Sequence, residues 1–123
     1  MKILFAIGAG SFIGGMARFL LTQFVQSKFI TLFPLGTLAV NTIGCFFIGI
    51  VFGLADKGNL NGEWKLFLAT GILGGFTTFS AFSLETLNLF REGQIGFASL
   101  YITGSILLGL LATYSGILIL RLF

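Results

Sequence analysis

An asparagine, Asn41, lies near the middle of the apolar segment from Pro34 to Leu54. A primary amide costs free energy in hydrocarbon unless it finds polar partners, so this side chain must face protein or water. Its position leaves two interpretations open: the amide bonds to a neighbouring helix as a packing device, or its N–H donors meet an anion. Thr37, one turn earlier, lies on roughly the same helix face and belongs to the same candidate surface.

The segment from Gly74 to Ser83 reads Gly-Gly-Phe-Thr-Thr-Phe-Ser-Ala-Phe-Ser and is the densest group of chemically distinctive residues. Its glycines and hydroxyl residues are weak helix formers in the middle of an apolar run, which predicts a break in the helix. A break at membrane depth frees backbone carbonyls, and such carbonyls bind cations such as sodium.

Two phenylalanines and two serines follow that predicted break at helical spacing. Phe79 and Phe82 share one face, and Ser80 and Ser83 share the adjacent one. The edge of a phenyl ring carries the positive end of its quadrupole, so edge-on rings favour a small anion while hydroxyls replace its water. With sixteen phenylalanines in the chain, ordinary core packing is the alternative interpretation of the aromatic pair.

Three further polar side chains lie at or inside the ends of apolar runs. Arg18 either extends to the membrane interface or holds positive potential at an aqueous mouth, where it attracts anions. Glu85 is expected near the outlet of the third run. Tyr101 and Ser105, one turn apart, predict a polar line along the fourth run.

The elements that position these residues follow from composition. The chain has 123 residues, of which 56% are hydrophobic and only 9% charged, and its mean hydropathy is +1.05. Soluble domains carry roughly 25% charged residues, so the composition excludes that class. A helical span needs roughly 20 apolar residues, and the sequence predicts one all-α transmembrane domain over residues 1–123, with helices at about 3–24, 34–54, 64–90 and 95–120.

The inventory of reactive side chains argues against an enzyme. The chain has no histidine and a single cysteine, so imidazole chemistry and an intrachain disulfide are absent. Three of its four carboxylates fall in hydrophilic stretches between apolar runs, which leaves little for acid–base catalysis. These three are Asp56, Glu63 and Glu92.

The eighteen glycines predict close helix packing. Several have the small-xxx-small spacing that lets helix backbones approach each other, within a subunit or between subunits. The pairs are Gly10 with Gly14, Gly49 with Gly53, and Gly71 with Gly75.

The basic residues predict how the chain inserts. The positive-inside rule compares Lys and Arg on the two sides of the membrane, and four spans divide them almost evenly. Near-balance favours insertion in both orientations and an antiparallel dual-topology homodimer, although so few charges can also balance by chance. The side with both termini holds Lys2, Lys57, Lys65 and Arg121, and the other holds Arg18, Lys28 and Arg91.

Three motifs, in the order 14–19, 34–44 and 74–83, resemble those of the Fluc (CrcB) family of fluoride channels. They read Gly-Gly-Met-Ala-Arg-Phe, then Pro-Leu-Gly-Thr-Leu-Ala-Val-Asn-Thr-Ile-Gly, then the segment from Gly74 to Ser83. The similarity spans the chain. It implies a fluoride-specific channel of bacterial inner membranes, an antiparallel dimer with two pores that passively exports fluoride and lowers its cytoplasmic concentration.

The resemblance also implies roles for residues. The family's pore asparagine falls on Asn41 and its paired pore phenylalanines on Phe79 and Phe82. We place Thr37 and Tyr101 in the same pore, and Glu85 with the family's vestibule arginine at the mouth. The hydroxyl track and that arginine match Ser80, Ser83, Ser105 and Arg18.

A structural sodium ion at the dimer centre is a further implication. In the family it is held by main-chain carbonyls of the third-helix break in both subunits, and by position these are Gly74 and Thr77. Ala81 departs from the family, in which a threonine is common between the two phenylalanines, so no hydroxyl contact is expected there. The implied partners are a second copy of the chain, fluoride, sodium and membrane lipid, with no nucleic acid.

Two other classes of protein share this size. A small proton-coupled multidrug exporter needs a membrane-embedded carboxylate in its first span, whereas Arg18 is the only ionisable side chain inside the first run here. A non-transporting structural subunit would explain the glycines, but it would leave Asn41 and the predicted break without a purpose.

Overall fold

The computed structural model describes all residues from Met1 to Phe123 and contains helices and no strands. Four helical segments are long and apolar enough to cross a membrane, which confirms the predicted fold class at this level. The first, second and fourth are continuous: α1 (Lys2–Lys28), α2 (Leu35–Asp56) and α6 (Ile95–Leu122). The third span, Gly62–Arg91, is composite.

The third span contains four pieces and two extended residues. It begins with α3 (Gly62–Lys65) and continues as a π-helix over Leu66–Leu73, then α4 (Gly74–Phe76) and α5 (Phe79–Arg91). Thr77 (φ −81°, ψ 157°) and Thr78 (φ −150°, ψ 119°) have extended backbones and separate α4 from α5. A π-helix of this length is rare, and nothing in the sequence predicts it.

The first helix is longer than expected because its last turn is tied to the following loop. It ends at Lys28 rather than near residue 24. Gln26 Oε1 accepts the N–H of Gly36 at 3.2 Å, and Gln26 Nε2 donates to the Thr31 carbonyl at 3.4 Å. The first of these bonds satisfies a backbone donor at the start of α2 that has no partner within the helix.

Glycines bring α1 against the third span. A Cβ added to Gly10 would lie 2.9 Å from the backbone nitrogen of Ile72, and one added to Gly75 would lie 2.5 Å from the Ser11 carbonyl oxygen. Ser11 Oγ donates to the Gly71 carbonyl at 3.3 Å. Backbone-to-backbone packing within the subunit therefore holds the interrupted span against a continuous helix.

The same device joins α2 to α6. A Cβ added to Gly49 would fall on the Thr113 carbonyl oxygen, and one added to Gly116 would fall on the Phe46 carbonyl oxygen. Only 16 of 123 residues are buried in the single chain. Most apolar surface of a single chain therefore faces outward, as expected where lipid or a second protein replaces water.

Replacing Gly116 tests the α2–α6 contact. We expect Gly116→Ala to lower stability by about 1–3 kcal/mol, because the new methyl group overlaps a backbone carbonyl. Gly96→Ala is the matched control on α6, since a Cβ at Gly96 meets nothing within 4 Å, and it should stay within about 1 kcal/mol of wild type. Thermal unfolding in detergent measures both. Equal stability of the two variants would contradict this packing.

Candidate functional site

A cavity of about 410 Å³ lies between α2, the third span and α6, and it is open to the outside of the chain. Its wall is mainly apolar, with a few polar groups from all three elements. Such a combination is typical of a ligand or ion site. The polar and aromatic lining residues are Asn41, Thr77, Thr78, Ser105, Phe79 and Phe82.

Asn41 is paired with the backbone of Thr78. Its Nδ2 donates to the Thr78 carbonyl at 2.9 Å, and its Oδ1 accepts the Thr78 N–H at 2.8 Å. The side chain thus bonds to a neighbouring helical span, which is one of the two roles its position allows. One of its two N–H donors is left without a partner in the chain, so this pairing leaves room for the other role.

The contacts of Thr78 leave the Gly74 and Thr77 carbonyls without their helical donors. In a continuous helix the Thr78 N–H would donate to the Gly74 carbonyl, but here it donates to Asn41. The Ala81 N–H would donate to the Thr77 carbonyl, but here it donates to Thr78 Oγ1 at 3.2 Å. Gly74 and Thr77, the residues expected at a cation site, therefore both carry a carbonyl oxygen released from the helix.

The aromatic pair is partly exposed. Phe79 and Phe82 have ring centroids 5.6 Å apart and planes tilted by 40°. Phe82 also packs against Tyr101, at 5.1 Å between centroids, whereas Phe79 is 78% exposed in the single chain. A phenyl ring so exposed at a cavity is not part of the subunit's own core.

Glu85 joins three elements through its carboxyl group. Its Oε1 accepts the hydroxyl of Thr37 at 2.7 Å, and its Oε2 accepts the hydroxyl of Tyr101 at 2.7 Å. Both donors are buried. A second cavity of about 260 Å³ reaches Glu85 from the side of the α1–α2 loop, and it is also lined by Asn88 and Glu92.

The remaining predicted residues are scattered. Ser80 is exposed and shares a 3.2 Å hydrogen bond between hydroxyls with Thr78, and Ser83 is exposed on α5. Neither lines the larger cavity, whereas Ser105 does. Arg18 is half-buried on α1 and lies outside the lining of both cavities.

Comparison with known proteins decides the family. The family model described as CrcB-like protein, Camphor Resistance (CrcB), matches residues 5–117. The chain belongs to the CrcB family. Its relatives include a protein named fluoride-specific ion channel FluC in Chlorobium phaeobacteroides, at 46% identity over 98% of this chain and 94% of the relative. The relative of that name in Aquifex aeolicus is 44% identical, covering 94% of both chains.

This CrcB-family chain is a multi-pass membrane protein. Its four apolar helices and its match to a family with bacterial relatives agree on that assignment. A third relative, the fluoride-specific ion channel FluC of Thermus thermophilus, is 46% identical over 89% of this chain and 87% of the relative.

Sequence reasoning missed the central part that Thr78 plays in the candidate site. All its polar groups are used: N–H and carbonyl by Asn41, and the hydroxyl as the N-cap of α5. It also missed Gly44, where an added Cβ would overlap the side-chain methyl of Thr77. The signal for Thr78 was available, because threonine is a preferred N-cap residue ahead of a helical pattern.

Removing one hydroxyl tests the Glu85 cluster of the CrcB-family chain. Tyr101→Phe keeps the ring but leaves Oε2 of Glu85 without its donor, so we expect stability to fall by about 1–3 kcal/mol. Tyr114→Phe, at an exposed tyrosine on the same helix, is the control and should change little. Thermal unfolding in detergent compares them. Equal melting temperatures for the two variants would refute a stabilising role for this bond.

Proposed function

We propose that this chain is a fluoride-specific ion channel that passively exports fluoride and lowers its cytoplasmic concentration. The observation that carries the proposal is the open cavity, where Asn41 keeps a free N–H donor beside Phe79, Phe82 and Ser105. The names of the relatives support fluoride as the ion. The proposed activity is ion conduction, not enzymatic catalysis.

The chemistry of the ion explains this lining. Fluoride is small and holds its water tightly, so a pore must offer hydrogen-bond donors in succession. In the proposed path Arg18 attracts the anion at a vestibule, the Asn41 amide and the phenyl edges replace water, and hydroxyls continue the path. The hydroxyls are those of Ser80, Ser83 and Ser105.

Glu85 belongs to the same vestibule as Arg18 in this proposal, on the side of the α1–α2 loop. It borders the second cavity, and the hydroxyls of Thr37 and Tyr101 donate to its carboxyl oxygens. These two donors occupy both carboxyl oxygens and hold the side chain in place. Thr37 and Tyr101 thus form the wall of the pore next to this vestibule.

The proposed assembly is an antiparallel homodimer with two pores. A cavity with an amide, threonines and a serine is open to the outside of the subunit, and polar groups are not stable against lipid tails. A second copy is the simplest cover because the balanced basic residues favour insertion in both orientations. In the dimer the exposed ring of Phe79 would meet the partner. Lipid would surround the remaining apolar surface, in the bacterial inner membrane.

A structural sodium ion fits the released carbonyls. Hard cations bind oxygen ligands, and backbone carbonyls at a helix interruption are such ligands. Gly74 and Thr77 each supply one, and two copies would together supply four. The ion would neutralise the negative ends of these carbonyl dipoles and hold the two interrupted spans together.

The aromatic pair is tested by flux. Phe79→Ile and Phe82→Ile remove the ring edges, so we expect fluoride efflux from reconstituted liposomes to fall by at least about tenfold. Phe12→Ile, at a 70% exposed ring on α1, is the control and should stay near wild type. Normal flux in both pore variants, with a dimer of normal size, would overturn the assignment.

The insertion proposal is tested by adding charge. Two lysines inserted beside Gly58 should bias orientation and reduce fluoride flux in membrane vesicles, because one orientation then dominates. Co-expression with a copy that carries two lysines beside Gly93, on the opposite side, should restore it. Two serines inserted beside Gly58 are the control. Unchanged flux in the lysine variant alone would count against dual topology.

A further inference from the structure

The hydrogen bonds between Asn41 and Thr78 also affect backbone groups outside the proposed pore. Asn41 lies on α2, 37 residues before Thr78, and its amide occupies both backbone polar groups of that residue. A side chain that satisfies the N–H and the carbonyl of one residue mimics a peptide group. It therefore stabilises an extended backbone at a position where a helix would otherwise continue.

The bond between the Thr78 N–H and Asn41 directly affects the Gly74 carbonyl. The Thr78 N–H has one strong acceptor in this structure, the Asn41 Oδ1 at 2.8 Å. If that acceptor were absent, the Gly74 carbonyl would be the nearest helical alternative, because it stands four residues earlier. A carbonyl oxygen that accepts an N–H has less electron density to offer a cation. By occupying the Thr78 N–H, Asn41 removes one competing donor from the Gly74 carbonyl.

Two other contacts hold the same geometry. Thr78 Oγ1 accepts the Ala81 N–H at 3.2 Å, which keeps this donor away from the Thr77 carbonyl. Thr77 donates its own hydroxyl to the Leu73 carbonyl at 3.0 Å. Neither contact involves the Thr78 N–H, so Asn41 is the side chain that occupies this donor.

We propose that Asn41 is a positioning residue for the sodium site, in addition to its place in the pore. It keeps the Thr78 N–H away from the Gly74 carbonyl, which leaves that oxygen free to bind the cation. The inference rests on the sodium ion of the proposed function. It links the pore wall to the central cation through one side chain.

The experiment measures sodium binding without measuring flux, because Asn41 substitutions also alter the proposed pore. The purified protein is melted in detergent while sodium chloride replaces N-methyl-D-glucamine chloride at constant ionic strength. The readout, called the sodium midpoint, is the sodium dissociation constant obtained by fitting the rise in melting temperature with sodium concentration to ligand-linked stabilisation. Asn41→Leu keeps the size of the side chain and removes both bonds. Asn41→Ser is a second variant, too short to reach both backbone groups.

The matched control is Cys45→Ala. Cys45 lies one turn after Asn41 on α2 and lines the same cavity. We expect its sodium midpoint to match wild type. For Asn41→Leu and Asn41→Ser we expect a midpoint at least about tenfold higher, or no sodium-dependent rise at all, because the Thr78 N–H then competes with sodium for the Gly74 oxygen.

The outcomes distinguish a failure of the positioning role of Asn41 from a failure of the proposed sodium site. If wild type and Cys45→Ala show no sodium-dependent rise, the sodium site itself fails, and the role of Asn41 fails with it. If wild type shows the rise and the two Asn41 variants share its midpoint, the sodium site stands and the positioning role is wrong. A lower melting temperature with an unchanged midpoint also overturns the inference, since it reports a packing role alone.

Discussion

The hydrogen-bonded pair between the Asn41 amide and the backbone of Thr78 is the interaction on which the rest of the site depends. Backbone polar groups inside a membrane must be bonded to protein or line a cavity, so an interruption of the third span needs partners for the Thr78 backbone. Asn41 supplies both partners at 2.8 and 2.9 Å. The cavity, the start of α5 and the released carbonyls all follow from that interruption.

The close packing of the helices makes this interaction geometrically possible. Glycines place α1 against the third span and α2 against α6 at backbone distance, and Gly44, one turn beyond Asn41, admits the side chain of Thr77. If α2 and the third span were further apart by the width of one methyl group, the short Asn41 side chain could not reach the Thr78 backbone. The glycine pairs and the site asparagine are parts of one arrangement.

The four spans and part of the candidate site were predictable from sequence, for physical reasons. Hydropathy and length indicated four spans, and the cost of a buried amide marked Asn41 as a residue with a partner. The weak helix formers after Leu73 indicated where the helix changes. The partner of Asn41, the π-helix of Leu66–Leu73 and the joining of Thr37 and Tyr101 at Glu85 were not predictable, because each depends on the register between helices.

We propose that the protein conducts fluoride selectively and passively. The most direct measurement is the reversal potential of the current through the reconstituted protein in a planar bilayer, with a tenfold fluoride gradient and equal chloride on both sides. We expect a reversal potential at the fluoride equilibrium value, unmoved by a chloride gradient or by a pH difference. A reversal potential that follows chloride or protons, or the absence of any fluoride current, would contradict it.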